Sequence, residues 1–410
     1  MDGKFLFVLY LIVIRNTITQ MKILLIGEYS NVHNSLKAGL ERLGHKVVVA
    51  SNGDYWKAYP RDINLVRPSG RFAGLRLLLH LLVNLHKLRG YDIVQIINPV
   101  FIDLKAKRIQ PIYNYLRRHN KKIIMGAFGM DYYWVYVNST TMPLRYSDFN
   151  IGKTLRTNKD AIIEQHDWIN TDKEKLNKTI ANDCDGIVAG LYEYKVCYQQ
   201  FFPKKTVFIP FPIITEGKNA KAERLDGPLK LFIGISKNRS EYKGTDIMLR
   251  AAKAVKADYP ELLELRIAEG IPFNEYVKLM EGSDAILDQL YSYTPSMNPL
   301  EAMSRGIICI GGGEPENYEI LNETLLHPII NVQPNYESCY EQIKLLTLHP
   351  ERIPQLQQES IDYIRKHHDY IKIAKQYEAF RLCTRISFSI LPNKLFPRCS
   401  LVSNQLVNKV

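Results

Sequence analysis

The residues best suited to chemistry lie in one stretch of the second half, "SMNPLEAMSRGIICIGGGEPENYE" (296–319). Pro299 and Glu301 read as a first helical turn. Ser296 or Asn298 serves as cap, Pro299 takes the first helical position and Gly306 is the stop. A carboxylate at such a helix start can accept hydrogen bonds from two vicinal hydroxyls, such as those of a ribose. The backbone N–H groups of Ser296 and Met297 suit a diphosphate at the positive end of the helix dipole. The plainer alternative is that Glu301 only complements the dipole. After a short β-branched run, Gly312 and Gly313 would let the backbone approach a ligand closely, and Glu314 and Glu316 would bind sugar hydroxyls. The alternative there is a turn with an acidic rim.

A second group is cationic. "KGTD" (243–246) places Lys243 at a turn just after a strand, and Lys237 and Arg239 share its loop. Three such cations can neutralise a departing diphosphate, although a solvated basic loop has the same composition. In "GMD" (129–131), Asp131 stands at a strand end and is expected to face the same cleft. There it would orient an acceptor hydroxyl or stabilise an oxocarbenium-like carbon; a lone aspartate in a turn is the alternative. "DCD" (183–185) has the form of a metal-binding DxD, but it sits between a helix and a strand and reads as a turn. The adjacent His367 and His368 point apart on a helix. No metal and no cofactor is expected.

These residues need a scaffold, and the chain supplies alternating strands and helices. "KILLIG" (22–27) is an apolar run suited to a strand buried on both faces. A helix ending at Gly44 and the strand "HKVVVAS" complete a βαβ unit, without the GxGxxG of a nicotinamide site. Further strands are expected at 91–99, 123–131, 186–194 and 206–213, a very apolar helix at 75–89, and an irregular loop followed by helix over 132–180. Residues 214–228 are polar and aperiodic, the best linker. A second βα series follows, and 337–379 read as mostly helical. The expectation is an α/β protein: two Rossmann-like doubly wound domains, 21–213 and 229–380, facing a cleft with ligands outside the carboxyl ends of the strands. Residues 381–410 are left unassigned.

Composition adds bounds. The 410 residues carry a formal charge of +12. Residues 21–210 hold 28 Lys and Arg against 16 Asp and Glu, whereas 211–380 hold 19 against 25. A basic half beside an acidic half implies different partners, the basic one suiting an anionic membrane, nucleic acid or an acidic acceptor. Six scattered cysteines without a CxxC pair read as reduced thiols of a cytoplasmic protein. Residues 1–20 form an uncertain extension, whose apolar run Phe5–Ile14 is too short to span a bilayer; the fold is expected to begin at Met21.

Taken in order, "KILLIG…NSLKAGLERLGHKVVVAS", "KGTD" and "LDQLY…NPLEAMSRGIICIGGGEPE" resemble the retaining GT-B glycosyltransferases of family 4. The resemblance covers about 21–380 and is strongest over 230–320. It implies a nucleotide-sugar donor held mainly by the second domain, a glycan or lipid-linked acceptor held by the first, and metal-independent transfer with retention. It carries Lys243 and Arg239 over as diphosphate-binding cations, Glu301 as the ribose-binding second Glu of E-x7-E, and Glu316 as the Glu of the "GG-x-x-E" loop. Two positions depart: Tyr293 replaces the first Glu of E-x7-E, which contacts the donor sugar, and Phe128 stands where a His is common. The basic first domain then suits an acceptor on an anionic membrane, with the 75–89 helix touching the surface or else packed inward. Surface polysaccharide or glycoconjugate synthesis at the inner face of the plasma membrane follows as the setting. The rivals are a nucleotide-sugar epimerase of similar architecture, which would need no acceptor, and a binding protein without turnover. A nucleic-acid binder rests on charge alone, for no base-reading motif is present, and nucleic acid is not expected as a partner.

Overall fold

A computed structural model describes residues 20–217, 227–236 and 239–383. The first half supplies β1 (Lys22–Ile26), β2 (Lys46–Ser51), β3 (Ile63–Asn64), β4 (Ile93–Ile96) and β5 (Ile123–Ala127), then a hairpin of β6 (Asn150–Ile151) and β7 (Thr154–Leu155), then β8 (Gly186–Ala189) and β9 (Thr206–Phe208). All but the hairpin pair in parallel, in the order β3-β2-β1-β4-β5-β8-β9. The apolar runs behave as both-face-buried strands must: Ile23, Leu24, Leu25 and Ile26 are all fully buried. The second half supplies β10 (Leu229–Ile235), β11 (Leu263–Glu269), β12 (Ala285–Leu287), β13 (Ile308–Gly311) and β14 (Ile330–Asn331), parallel in the order β11-β10-β12-β13-β14. Each sheet therefore has a point where successive connections leave in opposite directions, β1/β4 in the first and β10/β12 in the second. A crevice opens at such a point beyond the strand ends.

Several local expectations change. The strand expected over 206–213 stops at Phe208, because Pro210 and Pro212 lack the N–H that a ladder needs. The "irregular" 132–180 begins with a helix, Tyr132–Thr140, and holds two more, Lys159–Trp168 and Asp172–Asp183. The 75–89 helix is α-helical over Ala73–Asn84 and tightens to a 3-10 turn at Leu85–Leu88.

Two of the joints between the halves lie at the chain's return to the first domain. Ile213 pairs with Asp369, and Thr215 Oγ1 donates to Asp369 Oδ2 at 2.6 Å. The last helix, Tyr370–Cys383, then lies on helix Val32–Arg42 of the first half. A Cβ at Gly39 would stand 2.3 Å from Tyr370 O, and one at Gly186 would stand 2.6 Å from the Phe380 ring. Residues 370–380, grouped by the sequence with the second domain, thus pack on the first. The expected extension and tail, apart from residue 20 and the end of that helix, lie outside the described residues, as does most of the expected linker.

Candidate functional site

The second-domain side of the crevice begins after β10. The short helix Ser240–Lys243 ends at Gly244, whose φ of +73° suits glycine; a Cβ there would also meet Leu290 Cβ at 2.6 Å. That close approach presses the Lys243 turn against the loop after β12, and Leu290 N donates to Lys243 O at 2.8 Å. Lys243 is thereby held near Asp288, its main electrostatic partner. Burial lowers the Lys243 pKa, while Asp288 raises it and Arg239 lowers it further. Burial also pushes Asp288 up to about 6 against the opposing charge of Lys243 and the N–H groups of Gln289 and Ser296. Asp288 Oδ2 is buried without a hydrogen-bond partner among the described residues. Arg239 is exposed at the mouth, its guanidinium 5.1 Å from the Tyr242 ring centre. Lys237 lies outside the described residues.

The helix carrying Glu301 spans Met297–Met303, starting two residues earlier than expected. Ser296 is its N-cap but makes no side-chain cap bond, and its N–H is turned to Asp288 instead of being open to a diphosphate. Met297 is buried. Pro299 sits third in the helix, where the N–H still has no acceptor within the helix, so proline costs no bond there. Glu301 is consequently in the second turn, where Arg305 NH2 binds it at 3.0 Å. It also acts electrostatically on Tyr59 of the first domain. Around it the domains meet through aromatic rings: Trp56 lies 5.3 Å from Phe273 and Tyr59 5.7 Å from Phe273. Lys57, from the same first-domain loop, repels Lys243 across the crevice.

The sugar end differs from expectation. Gly312 and Gly313 approach protein, not open space: their added Cβ atoms would stand 2.1 Å from Ser292 O and 2.7 Å from Ile329 Cγ2. Glu314 is buried and accepts from Tyr146 Oη (2.6 Å), Arg145 NH2 (2.7 Å), Gln333 Nε2 (2.8 Å) and Asn331 Nδ2 (3.0 Å). Burial alone would raise its pKa, but these donors together hold it below the ordinary value. Glu316 is paired with Arg145 as well. Tyr293 is buried, stacked between Tyr146 and Tyr192, and its Oη accepts from Arg145 N at 2.6 Å. Glu193 completes the clasp by accepting from Tyr293 N (2.6 Å), Thr294 N (3.0 Å) and Thr294 Oγ1 (2.6 Å). Every one of these contacts to Tyr293 and Thr294 comes from the first domain.

Asp131 does not face the crevice. It is fully buried, caps helix Tyr132–Thr140 by accepting from Trp134 N at 2.9 Å, and accepts from Tyr198 Oη at 2.7 Å. Burial lifts its pKa to about 7. Asp183 and Asp185 of the DxD-like turn pair with Arg117, and His367 and His368 face different partners, Glu323 and Phe211 O. Among the described residues no group of three or more His, Cys, Asp or Glu is placed to hold a metal ion.

The structure places Lys243 and Arg239 after β10 and Glu301 in the helix after β12, and places Glu314, Glu316 and Tyr293 in an interdomain clasp. Sequence reasoning missed Asp288, although "LDQLY" offered the same signal as "GMD", an aspartate at the end of a buried strand. Arg145 and Glu193 carry no signal, since nothing local to them marks partners 169 and 100 residues away.

Two parallel sheets with their switch points opposed across a crevice define the class: the protein has the GT-B fold, with two Rossmann-like domains. Solved structures sharing it include sucrose-phosphate synthase from Thermosynechococcus elongatus (12% identity, TM-score 0.58, covering 89% of this chain and 100% of that one). HepE from Anabaena, crystallised with UDP-glucose, is similar (12% identity, TM-score 0.55, 90% and 100%). So is a Listeria monocytogenes protein described as a UDP-N-acetylglucosamine 2-epimerase (10% identity, TM-score 0.51, 92% and 100%). At these identities the likeness is one of fold. No family model and no curated protein matches the chain.

Proposed function

We propose that the protein is a retaining, metal-independent glycosyltransferase of the family 4 type. It would move a sugar from a nucleotide-sugar to a glycan or lipid-linked acceptor in polysaccharide or glycoconjugate synthesis. What supports the reading is the topology: Arg239 and Lys243 follow β10 and Glu301 lies in the helix after β12, the two strands of the switch point. Lys243 and Arg239 would neutralise the departing diphosphate, the task a metal performs elsewhere, and Glu301 would hold the ribose. The bond between the anomeric carbon and the phosphate oxygen breaks as the acceptor oxygen bonds that carbon from the same face. The acceptor proton passes to the leaving phosphate oxygen. HepE was crystallised with UDP-glucose in the same fold, which favours a nucleotide-sugar as donor. The working place is the cytoplasmic face of a membrane, with peripheral contact; no described helix is long and apolar enough to cross one.

The test is a panel of UDP-, GDP- and ADP-sugars, followed by calorimetry and by release of nucleoside diphosphate. One donor should bind. Lys243→Ala should slow turnover about 100-fold, the usual cost of one charge-stabilising group, and Glu301→Ala should weaken donor binding about tenfold, the worth of about one hydrogen bond to a charged group. Binding of none of the sugars would overturn the reading. Conversion of the donor sugar without any acceptor would instead favour an epimerase.

A further inference from the structure

Helix Ala73–Asn84 is apolar on two sides, and among the described residues one side is covered. Leu77 and Leu81 are fully buried in the hydrophobic core. On the outer side Phe72, Leu75, Leu79, Leu82 and Val83 are exposed, Val83 by 74% and Phe72 by 66%. Their spacing of three and four residues makes this a second stripe, not scattered exposure. Phe72, at the head of the stripe, holds a left-handed φ of +67°, a conformation bulky residues rarely adopt.

The charge around the stripe has one sign. Residues 66–90 contain five Lys and Arg and no Asp or Glu, and residues 104–118 contain another five and none. Where the two segments meet, a cavity of about 330 Å³ is lined by Arg67, Phe72, Gly74, Leu104, Lys105 and Arg108. Two guanidinium groups converge there. A Cβ on Gly74 would stand 3.6 Å from both Arg67 Nη2 and Arg108 Nη1. Asp103, 3.3 Å from Arg67 Nη1, is the carboxylate paired with this group, so the cavity keeps a net positive charge.

We infer that the outer face of this helix docks the protein on a bilayer containing anionic phospholipid. The apolar stripe enters the interface and the Arg67–Arg108 cavity takes a headgroup phosphodiester. An apolar face edged by cations is complementary to such a surface, and guanidinium pairs match phosphate oxygens bidentately. This deepens the membrane contact of the proposed function but does not depend on transferase chemistry.

The test is co-sedimentation of the full chain with vesicles of phosphatidylcholine alone or with 30% phosphatidylglycerol (about a third, in the range of anionic leaflets). All variants keep the apolar run Phe5–Ile14, so its effect is common to them. Binding is expected with the anionic vesicles, weakened by salt. Leu79→Ser with Val83→Ser, at exposed positions, and Arg67→Gln with Arg108→Gln should each reduce partitioning about tenfold or more, with unchanged thermal unfolding. Equal partitioning of both double variants and the parent would overturn the inference. So would self-association through this face in place of vesicle binding, or binding of inorganic phosphate with no vesicle binding. Donor binding measured without vesicles stays intact in either case, so failure here is separable from failure of the transferase reading.

Discussion

Asp131 and Asp288 stand at equivalent places, each just past the carboxyl end of a buried strand, yet they end in different chemistry. Asp131 is sealed under helix Tyr132–Thr140 with both oxygens occupied, whereas Asp288 leaves one oxygen without a partner among the described residues, beside the Lys243 turn. The first is a structural group with a measurable signature. Its pKa is raised from the ordinary 3.8 to about 7, so the folded state holds a proton that the unfolded chain releases. Its contribution to stability is complete below the lower value and is lost as pH rises through the upper one. Asp131→Asn, which keeps an acceptor for Trp134 N, should therefore flatten the decline of stability between about pH 4 and pH 7. Urea midpoints taken across that range check it, and an unchanged slope would refute the assignment. The residue type was legible in the sequence; which way the carboxylate turned was not, because Tyr198, the donor that fixes it, comes from a distant helix.

At the scale of the element, the sequence marks where strands begin better than where they end: the strand expected over 186–194 stops at Ala189, and Tyr192 already opens a helix. Apolar runs such as "KILLIG" announce strands because burial on both faces admits no polar residue. "YYWVYV" reads as the start of an irregular loop, yet it is helical because Asp131 caps its first turn and tertiary packing outweighs weak propensity. The glycines after β13 read as ligand-facing by type, but their surroundings are protein. This gives a test at the same scale. Gly312→Ala would drive a Cβ to within 2.1 Å of the Ser292 carbonyl, a backbone atom unable to rotate away. It should cost about 1–3 kcal/mol as overpacking, seen as a lower unfolding temperature in protein without ligand. A glycine needed only for ligand approach would leave that temperature unchanged and weaken donor binding alone.

For the whole molecule, the arrangement of the domains is held by the Arg145 and Glu193 clasp, by Arg156, which donates to Tyr242 O at 3.1 Å, and by Tyr242 Oη, which donates to Asp148 at 2.7 Å. Arg145 is the most informative to remove. Its side chain is 55% exposed while Glu314 is 5% exposed, so the loss falls chiefly on a carboxylate left with fewer donors. Arg145→Ala should cost about 1–2 kcal/mol and should enlarge the radius of gyration in small-angle scattering as the crevice opens. A variant as compact as the parent would show that the remaining contacts suffice.

The sequence by itself determined two parallel α/β units, the cationic turn at Lys243 and the acidic helix at Glu301, because apolar runs, turn glycines and local charge are properties of neighbouring residues. Only the tertiary structure decided that Asp131 is buried, that Gly312 is packed against Ser292, that Glu314 and Tyr293 belong to a clasp, and that the outer face of helix Ala73–Asn84 lies open. Those outcomes depend on which distant side chain supplies each donor, acceptor or covering surface. Spacing along a chain holds no record of such partners when they are brought together only by folding.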